Sequence, residues 1–159
     1  QDSIAYCDQV RTLRPETAFS ADMIAGFPTE TEAMFENALS IVDACGLSKV
    51  HVFPFSPRSG TPAARMPHLD RGIVKQRAAR LREKSDAAWQ GHLDRQIGKE
   101  FHALIEKGGV GRTQDFTPIR VSVDLKTGSI MPVSANGHDG DMLVGEVKSG
   151  INAQLQAAE

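Results

Sequence analysis

The stretch Lys49-Val-His-Val-Phe-Pro-Phe-Ser-Pro-Arg-Ser-Gly-Thr-Pro-Ala63 decides the fold. Its apolar run, Val50 to Phe55, reads as a buried strand and ends in a loop dense in Pro, Gly and Ser. That loop carries one guanidinium, Arg58, and two hydroxyls, Ser56 and Thr61. Parallel α/β folds place their active sites where strands deliver polar groups from their C-terminal ends.

Upstream of this stretch, residues 2–14 predict a helix. Asp2 or Ser3 is its cap, Ile4, Cys7, Val10 and Leu13 share one side, and Pro15 stops it. Thr17 to Ala25 reads as a strand closed by Gly26-Phe27-Pro28. Thr29 followed three residues later by Glu32 has the form of a capping box, with Met34, Ala38, Ile41 and Cys45 at helical spacing and Gly46 as the residue after the helix. Strand, helix and strand in so few residues predict a crossover and a parallel pair. Two parallel strands alone leave faces and edges open, and no further parallel strand is predicted after residue 63. Residues 1–68 are therefore expected to be the last strands and helices of a partial parallel α/β barrel, the C-terminal part of a larger protein that begins upstream of Gln1.

Downstream, residues 69–97 predict a long basic helix capped by Asp70. Val74, Ala78, Leu81, Ser85, Ala88 and His92 trace its inner stripe, and Arg77, Arg80 and Lys84 share another face, which is either a solvated exterior or a nucleic-acid contact. From Gly98 the period changes to two. Phe101, Ala103 and Ile105 alternate with polar positions, Gly108-Gly109 and Gly111 predict a turn, and Ile119, Val121 and Val123 alternate again. Ile130–Val133 is a short strand, Asn136-Gly137 a strong turn signal, and Met142–Lys148 the last strand. Residues 98–150 are thus expected to form a small antiparallel OB-like β-barrel of the kind that holds RNA, and residues 151–159 a frayed tail.

Charge sharpens the division. Between Arg58 and Lys84 lie eight basic residues against two acids, on a chain whose net charge is −2, so the remainder carries about −8. A basic segment on an acidic chain points to an anionic partner. No apolar run approaches the roughly 20 residues of a membrane span, and Gln1-Asp2-Ser3 does not open a signal peptide, so a cytoplasmic location is the expectation. Cys7 and Cys45 form no C-x-x-C pair and read as small buried hydrophobes.

Three landmarks, in this order, carry a family resemblance: Asp22-Met-Ile-Ala-Gly-Phe-Pro-Thr-Glu-Thr31, His51 to Ala63, and a β-module opening Ile97-Gly-Lys-Glu100. Together they resemble the second half of a radical S-adenosylmethionine (SAM) methylthiotransferase, whose late barrel strands end in GFPGET-like and YSPRPGTPA-like turns. In that family a basic helix leads into a tRNA-binding TRAM domain. The His51-Val-Phe-Pro-Phe run with Arg58 is closer to the MtaB type, which acts on threonylcarbamoyl-adenosine beside the anticodon, than to the MiaB type, which acts on isopentenyl-adenosine. Thr29 stands where the family has Gly and Ser59 where it has Pro, and both residue types suit turns.

The resemblance implies SAM and four-iron four-sulfur clusters as cofactors of the full-length enzyme and the tRNA anticodon stem-loop as partner. The CxxxCxxC triplet that holds the cluster is absent from these residues. The fragment alone is therefore expected to bind no cofactor or metal, to contribute no catalytic residue, and to supply barrel closure and tRNA binding. Gly26, Phe27 and Pro28 line the SAM pocket if the resemblance holds, or make only a strand-to-helix turn. Glu30 reads as a first-turn acid favoured by the helix dipole. Arg58 is placed to meet the SAM carboxylate or the RNA. His51 is a core histidine or a functional one. Lys99, Arg112 and Arg120, with Arg77, Arg80 and Lys84, are candidate phosphate contacts. Two rival readings are a stand-alone RNA-binding or interaction module, and a radical SAM enzyme with another substrate.

Overall fold

The computed structural model describes residues 2–123 and 125–148, so the expectation for the tail lies outside the described residues. The chain divides into two compact units, Gln1–Gly91 and His92–Glu159.

In the first unit, α1 (Asp2–Leu13) precedes β1 (Phe19–Ala25), α2 (Glu32–Ala44) and β2 (Leu47–Pro54). The two strands pair in parallel, with Ala21 opposite Val50, Asp22 opposite His51 and Ile24 opposite Phe53. The expected crossover is present. The helices cover one face of the pair, and the shared core joins Cys7, Ala25, Phe35, Val42, Cys45, Leu47, Val50, Ala78 and Leu81. Both cysteines lie in it. Burial, and then a hydrogen bond with Cys45, pushes the Cys7 thiol above its ordinary range.

The cap of α2 differs from the expected capping box. Thr31, not Thr29, is the N-cap, its hydroxyl accepting from the Met34 N–H at 3.2 Å. Thr29 instead adopts φ 69°, a conformation in which a β-branched residue is strained. At the other end Gly46, at φ 55°, follows the helix as expected. The Arg11 guanidinium donates to the Cys45 and Gly46 carbonyls and so satisfies the helix terminus from outside it.

A short 3-10 turn, Pro62–Arg65, leads to α3 (Arg71–Gln96), where the Asp70 carboxylate accepts from the Gly72 N–H at 2.7 Å. Along α3 the Ser85 hydroxyl meets both the Val50 N–H (2.9 Å) and the Val50 carbonyl (3.1 Å). One side chain thereby satisfies backbone groups on the edge of β2 that another strand would otherwise pair.

The second unit is a closed five-stranded barrel in the order β3-β4-β5-β7-β6. Its strands are β3 (Glu100–Ile105), β4 (Val110–Arg112), β5 (Pro118–Val121), β6 (Ile130–His138) and β7 (Leu143–Val147). Ala103, Ile105, Ile119, Val121, Met131, Val133, Ala135, Leu143 and Val147 fill it, following the predicted alternation. Three details depart from expectation. The glycine-rich segment contains a strand, β4, because Gly111 lets Leu104 and Ala103 come close: a Cβ there would sit 3.2 Å from each. Asn136-Gly137 is no turn but a register shift inside β6, and the chain reverses at 139–142. Lastly, β5 and β7 are parallel, so the barrel is mixed rather than wholly antiparallel.

At its beginning the second unit holds a buried polar group. His92 Nε2 lies 2.8 Å from the Thr117 hydroxyl and 3.6 Å from the Asp115 carboxylate. Burial lowers the His92 pKa below its usual 6.5, against the opposing pull of Asp115.

Candidate functional site

The loops at the C-terminal ends of β1 and β2 lie together. The Phe55 N–H donates to the Ala25 carbonyl at 2.9 Å, extending the strand pairing past Pro54. Beyond it the Phe27 and Phe55 rings meet edge to face with centroids 5.5 Å apart, and Phe55 also touches His68.

The three residues of the Gly-Phe-Pro turn differ in what they present. Gly26 has φ 77°, and a Cβ on it would lie 2.7 Å from Val74 of α3, so helix packing requires the glycine. Pro28 is fully buried, and Phe27, 40% exposed, keeps an accessible face. Glu30 is not a solvated first-turn acid. It lies before α2, accepts from the Gly26 N–H at 3.0 Å, and pairs at 2.8 Å with Arg77, with both side chains nearly buried.

Arg58 is exposed in the β2 loop and has no ion pair among the described residues. The loop beneath it is ordered by Thr61, whose hydroxyl donates to the Arg58 carbonyl at 2.8 Å and accepts from the Ala64 N–H. This leaves a guanidinium without an ion pair among the described residues, on a braced loop that starts at Phe55, an arrangement able to take a carboxylate or phosphate.

The second face of the β1–β2 pair is exposed, although the ammonium of Lys49 on it lies over the Trp89 ring of α3. Ser20, Asp22 and Ile24 alternate outward from β1, and Lys49, His51 and Phe53 from β2. His51 is thus exposed, not held in a buried strand, because only one face of the sheet has helices over it. Asp22 stands directly across from it. Sequence reasoning passed over Asp22, although the polar positions at 20, 22, 49 and 51 carry the period-two signal.

The basic helix carries two cationic faces of different kinds. Arg77 is only 6% exposed, which neither a solvated exterior nor a nucleic-acid surface anticipates. Its guanidinium binds the carboxylates of Glu30 (2.8 Å) and Glu32 (2.9 Å), Arg80 binds Glu32 and Glu36, and Lys84 binds Asp43 at 2.6 Å. Hydrogen bonds from Arg80 and Arg77 hold Glu32 below the usual carboxylate range, and those from Glu36 and Glu32 raise Arg80. The sequence signal was present: Glu32, Glu36 and Asp43 recur on one face of α2 as Arg77, Arg80 and Lys84 do on α3. On the opposite side of α3, about half a turn away at 3.6 residues per turn, stand Arg71, Lys75 and Arg82. All three are exposed and without an ion pair among the described residues.

In the barrel, Arg112 and Arg120 point outward at diagonal positions of β4 and β5. Arg112 has a loose contact with Glu106 (3.4 Å), whereas Arg120 is held by Asp139 at 2.8 Å. Backbone N–H groups of Met142 and Asp141 keep Asp139 ionised below its usual range. Lys99 lies apart from them, at the entry to β3.

No group of three or more His, Cys, Asp or Glu side chains is placed to hold a metal among the described residues. Within the same residues, no helix is long and apolar enough to cross a membrane.

No protein-family model matches the chain. It is 41% identical over 134 residues to the threonylcarbamoyladenosine tRNA methylthiotransferase MtaB of Rickettsia prowazekii, a match covering 84% of this chain and 32% of that protein. To the MtaB of Thermotoga maritima it is 39% identical over 106 residues, 66% of this chain and 24% of the relative. A tRNA-2-methylthio-N(6)-dimethylallyladenosine synthase of Bartonella bacilliformis is 32% identical over 152 residues, 91% of this chain and 33% of the relative. The chain spans about a third of the length of these curated relatives. Over the residues that match, which run through both units, the chain belongs to the tRNA methylthiotransferase family.

Proposed function

We propose that the chain is the tRNA-binding, barrel-closing part of an enzyme that methylthiolates the hypermodified adenosine next to a tRNA anticodon. The observation that carries this reading is the 41% identity to a relative named for threonylcarbamoyladenosine, set against 32% for one named for dimethylallyladenosine. Threonylcarbamoyl-adenosine is accordingly the favoured substrate. Such an enzyme works in the cytoplasm, where its tRNA is.

Under this reading the exposed face of β1 and β2 fronts the reaction chamber of a radical SAM barrel, with Asp22 and His51 side by side on it. Phe27 and Arg58 reach the chamber from the strand ends, Arg58 supplying a positive charge that has no ion pair among the described residues. Gly26 and Pro28 hold the turn that presents Phe27. The cluster expected of the family finds no ligands in these residues. Cys7 and Cys45 sit in hydrocarbon, and a raised thiol pKa opposes the thiolate that a cluster needs. Cluster chemistry therefore belongs to other parts of the enzyme, and these residues bind and position.

Phosphate binding falls to the exposed cations. Arg71, Lys75 and Arg82 form an exposed stripe without an ion pair among the described residues, while Arg77, Arg80 and Lys84 are engaged within their own unit and brace α2 against α3. Titrating the 159-residue chain with a tRNA transcript over a series of salt concentrations tests this assignment. Log K is expected to fall with log[salt] by about 0.7 per phosphate contact. Replacing Arg71, Lys75 and Arg82 together by Gln should make that slope shallower by about 2. A salt-independent affinity, or no affinity for tRNA, overturns the proposal.

A further inference from the structure

The loop between β4 and β5 holds a residue that the fold does not use. Phe116 is 81% exposed and has φ 64°. A bulky residue in the left-handed region is a backbone outlier, and here no burial of the ring offsets the strain. Glycine would take the same conformation freely.

The loop is nonetheless fixed. The Phe116 N–H donates to the Thr113 carbonyl (3.0 Å), and the Thr113 N–H to the Thr117 carbonyl (3.1 Å). The Asp115 carboxylate accepts from the Thr113 hydroxyl and from the Thr117 N–H, and the Thr117 hydroxyl is held by buried His92. Gln114 accepts from the His102 N–H on β3. The ring is thus displayed on a base held by hydrogen bonds to its own loop, to α3 and to β3.

Its surroundings fit a flat, anionic, aromatic guest. Arg112 Nη1 lies 3.4 Å from the Phe116 carbonyl, which brings the guanidinium beside the loop. Strand register sets Arg112 in an outward row with Leu104 and Ile130, 45% and 66% exposed. An exposed ring, a guanidinium and a shallow apolar row together offer a π-face, a phosphate contact and a surface for a sugar edge. Strain at a displayed residue is what a binding role retains and a purely structural one does not.

We propose that Phe116 is a stacking platform for an unpaired base of the RNA, with Arg112 taking the neighbouring phosphate. This rests on the tRNA-binding reading above and specifies where the barrel grips. Base–aromatic stacking accepts any base, so this contact supplies affinity and orientation, and the choice of nucleotide lies elsewhere.

The test uses the 159-residue chain, an unmodified tRNA transcript, and a short single-stranded RNA carrying 2-aminopurine. Phe116→Ala is expected to weaken binding about tenfold with the salt slope unchanged, and to abolish the fluorescence quenching that marks stacking. Phe116→Trp should restore both. Phe116→Gly separates binding from folding: it should weaken binding like the alanine variant while the melting temperature of the barrel stays the same or rises. Arg112→Gln should lower the salt slope by about 0.7. Wild-type affinity in Phe116→Ala overturns the stacking role alone. Failure of the wild-type chain to bind either RNA overturns it together with the reading beneath it. Unchanged RNA binding with a loss of self-association would transfer the ring to a protein contact and equally overturn the proposal.

Discussion

Exposed strand edges are handled differently in the two units. In the second, the ladder runs from β3 around to β6 and back to β3, so every strand has two neighbours. In the first, β1 and β2 pair only with each other, and the outer edge of β2 is met by the Ser85 hydroxyl instead of a strand. A barrel that closes on itself depends chiefly on its own apolar filling. An open parallel pair must draw on its helices, and these are fastened to one another by charge as well as by hydrocarbon. The comparison teaches that the α/β unit relies on polar links between its elements where the barrel relies on closure.

Breaking Arg77 is the most severe challenge to that comparison. Arg77→Ala leaves the nearly buried Glu30 carboxylate without its partner and is expected to destabilise the first unit by about 3–5 kcal/mol. Chemical denaturation followed through Trp89, which lies on α3, would read it. A cost well under 1 kcal/mol would reduce the pair to surface decoration. Next comes Ser85→Ala, which strands the N–H and carbonyl of Val50 in a buried place and should cost about 1–3 kcal/mol. Loss of amide-exchange protection at Val50, ahead of its neighbours on β2, is the more specific sign.

The barrel's own weak point is pH. His92 has a folded pKa below the 6.5 of the unfolded chain, so the unfolded state takes up the proton first. Barrel stability is therefore full above about pH 6.5 and declines as pH falls through that value, by at most about 1.4 kcal/mol per pH unit until the lowered folded pKa is reached. His92→Gln should flatten melting temperature between pH 7 and 5.5; an unchanged slope would place the titrating group elsewhere. The smallest effect is a gain. Thr29→Gly removes a β-branched residue from φ 69° and should stabilise the first unit by about 1 kcal/mol, a rise of a few degrees in its melting temperature.

Much of this architecture was legible because local rules and burial agree in it. Alternation at Phe101, Ala103 and Ile105, helical spacing along α2, and an aspartate one residue before α3 each have a local cause that the sequence displays. What escaped was decided by distant neighbours. Gly111 reads as a turn residue until Ala103 and Leu104 press against it, and Asn136-Gly137 resembles a hairpin turn although β6 continues through it with an extra residue. Arg77 was grouped correctly with Arg80 and Lys84, yet nothing within α3 says that Glu30, some forty-seven positions earlier, lies against it. For the candidate site the limits were similar. Arg58 was evident from its loop, whereas Phe116 carries no pattern at all, since neither its φ nor its exposure follows from residue type.

One consequence of the Ser85 contact concerns direction. The Ser85 hydroxyl occupies the N–H and carbonyl of Val50 on the outer edge of β2, whereas β1 pairs with β2 on one side and presents its other edge. A strand that joined beside β2 would have to displace that hydroxyl from the Val50 backbone, so one oxygen atom biases growth of the sheet toward β1.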